Sequence, residues 1–333
     1  MAGGIGRVAG VLGLGAVAAT AAAFAVSPRP GAALIKAVFE RGGRQVLEKM
    51  RPHAPGGVTV KRDIPYREHD ADARLDVYRP DGATGPLPVV IWIHGGAWVS
   101  GGKKDDVPYF ELLAADGRAV VGVDYSLGPH RTYPTALHQL TDAIRYLGDH
   151  ADELGLDLDR VVIAGDSAGA QLTSQLAALA TNPSYAANTG LPAPLHPEQL
   201  RGVILYCGIY DVPRLLQSRG LLGWGDSIAL RAYTGLRRPL GSDAVQQMST
   251  LQHVTAQFPP AFISGGNADP LTEHHSKALA ARLDELGVRV DTLFWPDDTT
   301  PELPHEYQFD LDGDAGRIAL TRTHEFLRGV LAD

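Results

Sequence analysis

Sulfur, clustered positive charge and metal-ligand spacing are all scarce in this chain. Among 333 residues there is one cysteine, Cys207, so no internal disulfide can form. It ends an apolar run, Val203-Ile204-Leu205-Tyr206-Cys207, which reads as a strand carrying a buried, inert thiol. No Cys/His pairing has zinc-site spacing, and the adjacent His274 and His275 cannot share a helix face as i, i+4 ligands do. No metal and no cofactor is expected. The net charge is −8 and no basic run stands out, which argues against a nucleic-acid partner. No internal repeat is visible. What remains, 44% apolar and 20% charged residues, is the make-up of an ordinary globular protein with one large core.

A long run that is both uncharged and apolar lies at the N-terminus. Residues 8–26 hold 19 residues without a charge, enough to span about 28 Å as a helix, near the thickness of a bilayer's hydrocarbon core. Three readings stand: a cleaved secretory signal with Ala23-Phe24-Ala25 as a small-x-small site, an uncleaved membrane anchor, or a packed helix. The protein is therefore expected to be membrane-associated through this segment or secreted. If an anchor remains, Arg29, Lys36, Arg41 and Arg44 behind it, against Arg7 alone in front, favour a cytoplasmic catalytic domain. Residues 1–30 form this segment. Residues 31–57 follow with Leu34, Ile35, Val38, Phe39, Val46, Leu47 and Met50 at helical spacing, an amphipathic helix acting as a lid or lying at a membrane surface.

From residue 58 to 333 strands and helices alternate. Strands are expected at 58–60, 74–78, 89–93, 119–123, 161–164, 203–207, 261–264 and 290–294, and helices at 134–148, 168–180, 273–286 and 315–331. Several of these strands are short, continuous apolar runs, as in a parallel sheet buried on both faces. The fold class is α/β, a mostly parallel central sheet with helices on both faces. Residues 211–257 break the rhythm with many leucines, Trp224 and no clear strand. They read as a small helical cap that supplies apolar walls.

Chemistry concentrates where strands end. Gly165-Asp166-Ser167-Ala168-Gly169 joins a strand to a helix, a turn tight enough to want glycine at both ends, with the serine hydroxyl exposed at the helix N-terminus. After strand 89–93 comes His94-Gly95-Gly96-Ala97-Trp98, whose small residues let backbone N–H groups approach a developing oxyanion. The expected donors are Gly96, Ala97 and Ala168, with Gly95 as a fallback; His94 reads as structural. Asp269, in Gly265-Gly266-Asn267-Ala268-Asp269-Pro270 after strand 261–264, is the expected acid, with Asp211 as runner-up. His305, beyond the last strand, is the expected base; His324 sits inside the final helix. Serine, acid and base in that chain order, each at a strand end, point to nucleophilic acyl transfer.

These motifs, with Val123-Asp124-Tyr125-Ser126-Leu127-Gly128-Pro129 and Asp269-Pro270-Leu271, resemble the hormone-sensitive-lipase-like carboxylesterases and lipases of the α/β-hydrolase fold, over residues 58–333. The resemblance implies hydrolysis of a small-molecule carboxylic ester, with an apolar acyl or aryl part, through a Ser167–His305–Asp269 triad and an acyl-enzyme, without metal or organic cofactor. Two departures keep other readings open. Ala97 stands where the family usually has a third glycine, a change toward the H-G-G-x-W of arylformamidases, and Gly128-Pro129-His130 replaces the more usual Ala-Pro-Glu. An arylformamidase or amidase, or a non-catalytic binding module of the same fold, are the alternatives.

Overall fold

Strand β3 (Leu87–Ile93) shows how the sheet is built. Val89, Ile91 and Ile93 enter one hydrophobic cluster, while Val90 and Trp92 enter another on the opposite face. A strand with an apolar side chain at every position has no face to give to water, and its place is mid-sheet. The computed structural model describes residues 27–332; the uncharged run 8–26, on which the signal, anchor and packed-helix readings fall, lies outside them. No described helix is long and apolar enough to cross a membrane.

The other strands are β1 (Val58–Pro65), β2 (Arg74–Pro80), β4 (Ala119–Val123), β5 (Leu156–Asp166), β6 (Leu200–Tyr206), β7 (Ala261–Gly265) and β8 (Val290–Phe294). They form one eight-stranded sheet in the order β1-β2-β4-β3-β5-β6-β7-β8. The pairs β1–β2 and β2–β4 are antiparallel and all others parallel. Every parallel strand therefore ends on the same edge, and the loops leaving that edge build the site. The edge strand β1 is mostly exposed or half-buried; β4 is buried throughout. Each buried Val or Ile of the central strands contributes about 1.5–3 kcal/mol.

The helices, in chain order, are α1 (Arg29–Met50), α2 (Val107–Ala115), α3 (Thr135–Asp149), α4 (Ala151–Leu154), α5 (Ser167–Thr181), α6 (Pro183–Thr189), α7 (Val212–Leu215), α8 (Gly220–Thr234), α9 (Asp243–Met248), α10 (Lys277–Glu285) and α11 (Asp314–Leu331). Side chains of α3, α5 and α10 fill one face of the sheet; those of α2 and α11 fill the other. The alternation is thus as the sequence implies; the short helices α4 and α6 add to it, and three further differences matter. Helix α2 is unanticipated, because Tyr109, Phe110, Leu113 and Ala114 are all buried and leave no polar stripe to betray a helical period. The helix expected from residue 273 opens with a wide π-turn, Thr272–Ser276. There Leu271 O accepts from Ser276 N, and Thr272 Oγ1 donates to Gly266 O at 2.8 Å. Finally, α1 turns only part of its apolar stripe inward: Ile35, Val46 and Met50 pack against the body, whereas Leu34, Val38 and Phe39 are exposed.

Residues between β6 and β7 carry α7, α8 and α9. Helix α8 crosses α1 closely at Gly31, where a Cβ would stand 2.8 Å from Ile228. Any side chain there would push the two helices apart.

Candidate active site

The nucleophilic turn is dictated by backbone crowding. Ser167 begins α5 with φ 51°, a left-handed conformation that non-glycine residues rarely hold and that is concentrated at functional sites. A Cβ at Gly169 would lie 1.9 Å from Ile93 O, and one at Gly165 would lie 2.6 Å from both Ile93 O and the Gly169 carbonyl carbon. Only glycine allows the turn to press against the end of β3. The helix then starts directly behind the serine, its first N–H groups free of intrahelical partners.

The loop after β3 runs past this turn. Gly96, Ala97 and Trp98 all have positive φ (104°, 52° and 59°), and a Cβ on Gly96 would sit 2.4 Å from Ser100 O. Trp98 pins the loop: its Nε1–H donates to Gln171 Oε1 on α5 at 3.0 Å, and its ring stacks on Tyr233 of α8 at 5.3 Å. Ala97 lines one cavity with Ser167, and Gly96 lines another with it. Gly95 lies against the Asp166 carboxylate, where a Cβ would stand 2.2 Å from Oδ2. That carboxylate accepts from Trp92 Nε1 at 3.0 Å, and burial pushes it well above the usual range. His94 Nδ1 donates to Gly95 O at 2.8 Å, and its ring stacks on Tyr125, whose hydroxyl donates to His94 O at 2.9 Å. The histidine is a buried strut of the loop.

Asp269 and His305 come from two loops stitched together. Asn267 accepts from Leu303 N at 2.9 Å and donates through Nδ2 to Thr299 O at 3.0 Å. Ala268 N donates to Leu303 O at 3.1 Å. Gly266 lets the loops touch, for a Cβ there would meet Leu303 O at 2.1 Å. Beyond the histidine, Tyr307 is anchored by Ser264 Oγ and Trp295 Nε1, each 2.8 Å from its hydroxyl. The outcome is a line of contacts: His305 Nε2 lies 2.9 Å from Ser167 Oγ, and His305 Nδ1 lies 3.1 Å from Asp269 Oδ1. At that second distance the N–H does not aim squarely at the oxygen. Asp269 is buried, with Leu271 N donating to Oδ1 at 3.0 Å and, among the described residues, no donor on Oδ2.

Burial works to lower the His305 pKa, and Cys207 together with the carboxylates of Asp269 and Glu306 opposes it and holds the imidazole above its ordinary value near 6.5. The ring stays one-third exposed, at 34%, so burial acts on only part of it. Burial in turn pushes the Cys207 thiol up to about 12.

The remaining candidates stand elsewhere. Asp211 caps α7 by accepting from Arg214 N at 3.2 Å. His275 accepts the N–H groups of Tyr210 and Asp211, each at 3.3 Å, and burial lowers it to about 4. His324 pairs with Asp116 across α11. Two residues near the reacting groups escaped the sequence reading. Glu306 holds a left-handed conformation (φ 61°), 3.6 Å from His305 Nε2; its adjacency to the expected base was the available signal. Cys207 lies with Asp269 and His305 in one cluster of potential ligand atoms, which no spacing in the sequence reveals.

Two cavities open on either side of Ser167 and His305, and Phe39 of α1 borders both. One, of about 510 Å³, is lined by Ile209, Leu215, Leu222 and Ala229 with a polar end at Arg214 and Asp226. Burial pushes Asp226 up to about 6. The other, of about 450 Å³, is lined by Gly42, Gly43 and Val46 of α1 together with Asp106, Asp166 and Glu306.

The sheet order, the glycine-flanked serine turn and the strand-end loops define an α/β hydrolase. Comparison with known proteins narrows this: the family model described as BD-FAE matches residues 75–283, and the chain belongs to that family. It is similar to a probable isoprenylcysteine alpha-carbonyl methylesterase of Arabidopsis thaliana, 27% identical over 73% of this chain and 51% of the relative. A probable carboxylic ester hydrolase of Mycobacterium tuberculosis is 28% identical over 87% of this chain and 65% of its own length. The chain thus spans only about half to two thirds of these relatives. Among solved structures, esterase B of Lactobacillus Rhamnosis superposes with a TM-score of 0.75 at 23% identity, covering 91% of this chain and 96% of that one. That likeness is one of fold.

Proposed function

We propose that the chain hydrolyses carboxylic esters through a Ser167–His305–Asp269 triad and a covalent acyl-enzyme. The observation that carries this reading is the continuous contact from Ser167 Oγ through the His305 ring to the Asp269 carboxylate, at 2.9 and 3.1 Å. His305 Nε2 takes the serine proton as Oγ attacks the carbonyl, and later returns it to the departing alcohol. Asp269 keeps the proton of the neutral ring on Nδ1 and stabilises the imidazolium. The backbone N–H groups of Gly96, Ala97 and Ala168 receive the oxyanion. Water activated by the same histidine releases the acid. The esterase names of the relatives support the choice of bond.

The residues around the triad suggest the division of labour in the chain. Residues 58–333 serve as the catalytic domain, and residues 211–257 as a cap whose Leu215, Leu222 and Ala229 wall the larger cavity. Helix α1 acts as a lid element through Phe39, which borders both cavities. An apolar acyl or aryl group fits the larger cavity.

Ser167→Ala tests the reading on a p-nitrophenyl acyl ester. Turnover should fall by about 10⁴–10⁶, with unchanged circular dichroism and no labelling by a fluorophosphonate probe. A variant that keeps the parent's rate would remove the triad as the mechanism.

A further inference from the structure

We propose that Cys207, Asp269 and His305 form an inhibitory site for a borderline-soft divalent cation such as Zn²⁺, which disconnects the imidazole from Ser167. The inference concerns regulation of the site described above and rests on His305 acting as the base there.

Cys207 follows the last residue of β6 and has φ 41°. Its backbone N–H donates to Ser264 O of β7 at 2.9 Å, which fixes it where the loops after β7 and β8 converge. One ligand atom from each of Cys207, Asp269 and His305 lies within 4.8 Å of the other two. Asp269 and Cys207 are buried, and Asp269 Oδ2 receives no hydrogen bond among the described residues. A buried carboxylate oxygen left without a donor, beside a thiol and an imidazole nitrogen, is a position a cation would satisfy.

The donor set selects the ion. Thiolate, imidazole and carboxylate suit zinc, whereas Mg²⁺ and Ca²⁺ prefer oxygen alone. With metal–ligand lengths of about 2.0–2.3 Å, neighbouring ligands of a tetrahedral zinc stand roughly 3.3–3.7 Å apart. Asp269 Oδ1 and His305 Nδ1 are already 3.1 Å apart, so small side-chain shifts complete the site and leave one position for water. The 34% exposure of the His305 side chain gives the ion a path from the cavity.

The protons balance. Cys207 loses its thiol proton to solvent as the Zn–S bond forms, so one proton is released per ion bound. The ring proton moves from Nδ1, now a ligand, to Nε2. A protonated Nε2 donates to Ser167 Oγ instead of accepting from it, and the serine cannot be activated. The substrate cavities are untouched, so kcat should fall while KM holds.

The test uses the full chain, stripped with a chelator and titrated with buffered Zn²⁺ during p-nitrophenyl butyrate hydrolysis. Inhibition should be reversible by chelator, act on kcat, and be absent with Mg²⁺. Losing even an outer partner of a metal ligand weakens affinity by about 10–100-fold, so in Cys207→Ala, scored against its own metal-free rate, inhibition should weaken by more than about tenfold. Should that variant fold poorly, Cys207→Ser replaces it. Co²⁺ should give a thiolate charge-transfer band in the parent and in Ser167→Ala, and none in the Cys207 variants. Equal Zn²⁺ sensitivity of parent and Cys207 variant, or Co²⁺ binding without the thiolate band, overturns the site. A Ser167→Ala protein that stays active overturns the triad instead, while its Co²⁺ band still reports on the cluster.

Discussion

The nucleophile and the base are held by different forces. Ser167 is fixed by repulsion: backbone atoms of β3 and α5 approach so closely that two glycines are compulsory and no side-chain bond is needed. His305 is fixed by attraction: polar stitches through Asn267 and Tyr307 join loops that carry little regular structure. Steric positioning tolerates no added atom and is insensitive to solvent. Positioning by hydrogen bonds degrades by degrees, as each stitch is removed.

Gly169→Ala breaks the steric half and should have the largest effect. Its methyl would fall 1.9 Å from Ile93 O, so β3 or α5 must move. A loss of stability of about 3–5 kcal/mol is expected in urea unfolding. Activity should fall by more than the Asn267 change described next. A variant with parental stability would mean that the turn is held by something other than contact.

Asn267→Ala breaks the stitched half. Leu303 N loses its acceptor and Thr299 O its donor, at a cost of about 1–3 kcal/mol. A small displacement of His305 is expected to lower kcat by about 10–100-fold, with little change in KM. If kcat holds while stability falls, the stitch supports the loop without aiming the ring.

Glu306→Gln probes the charge that the base feels. Burial tends to lower the His305 pKa, but Cys207, Asp269 and Glu306 hold it above about 6.5, and only the neutral ring can accept the serine proton. In metal-free protein kcat/KM should therefore fall, as pH decreases, through a value above 6.5. Removing the Glu306 charge should move that limb to lower pH. A limb that stays in place assigns the shift to Asp269 and Cys207.

The two halves were not equally legible in the sequence. Continuous apolar runs such as Val89 to Ile93 announced the parallel strands, because burial on both faces leaves no other composition. The serine turn was readable for the same steric reason that makes it rigid, since glycine at 165 and 169 is the direct record of a close approach. Helix α2 was hidden by its own burial. The exposure of Phe39 was not legible, because periodicity cannot say which face of a helix has a partner. The setting of Cys207 was invisible, since Asp269 and His305 arrive from loops 62 and 98 positions further along. Zinc spacing in a sequence reports only sites built by neighbours on one element.

The wall of the cavities belongs to neither half and should matter least to the chemistry. Phe39 is 44% exposed and borders both cavities, yet it touches no reacting atom. Phe39→Ala removes apolar surface that a longer acyl chain would cover. One to two methylenes of lost contact are worth about 1–3 kcal/mol. The expected outcome is a KM raised about tenfold for long acyl esters, a KM nearly unchanged for acetate, and a constant kcat. The contrast between chain lengths is the informative quantity. If acetate and long-chain esters lose equally, Phe39 holds α1 in place over the site instead of meeting the substrate, and α1 joins the scaffold that the stitched loops require.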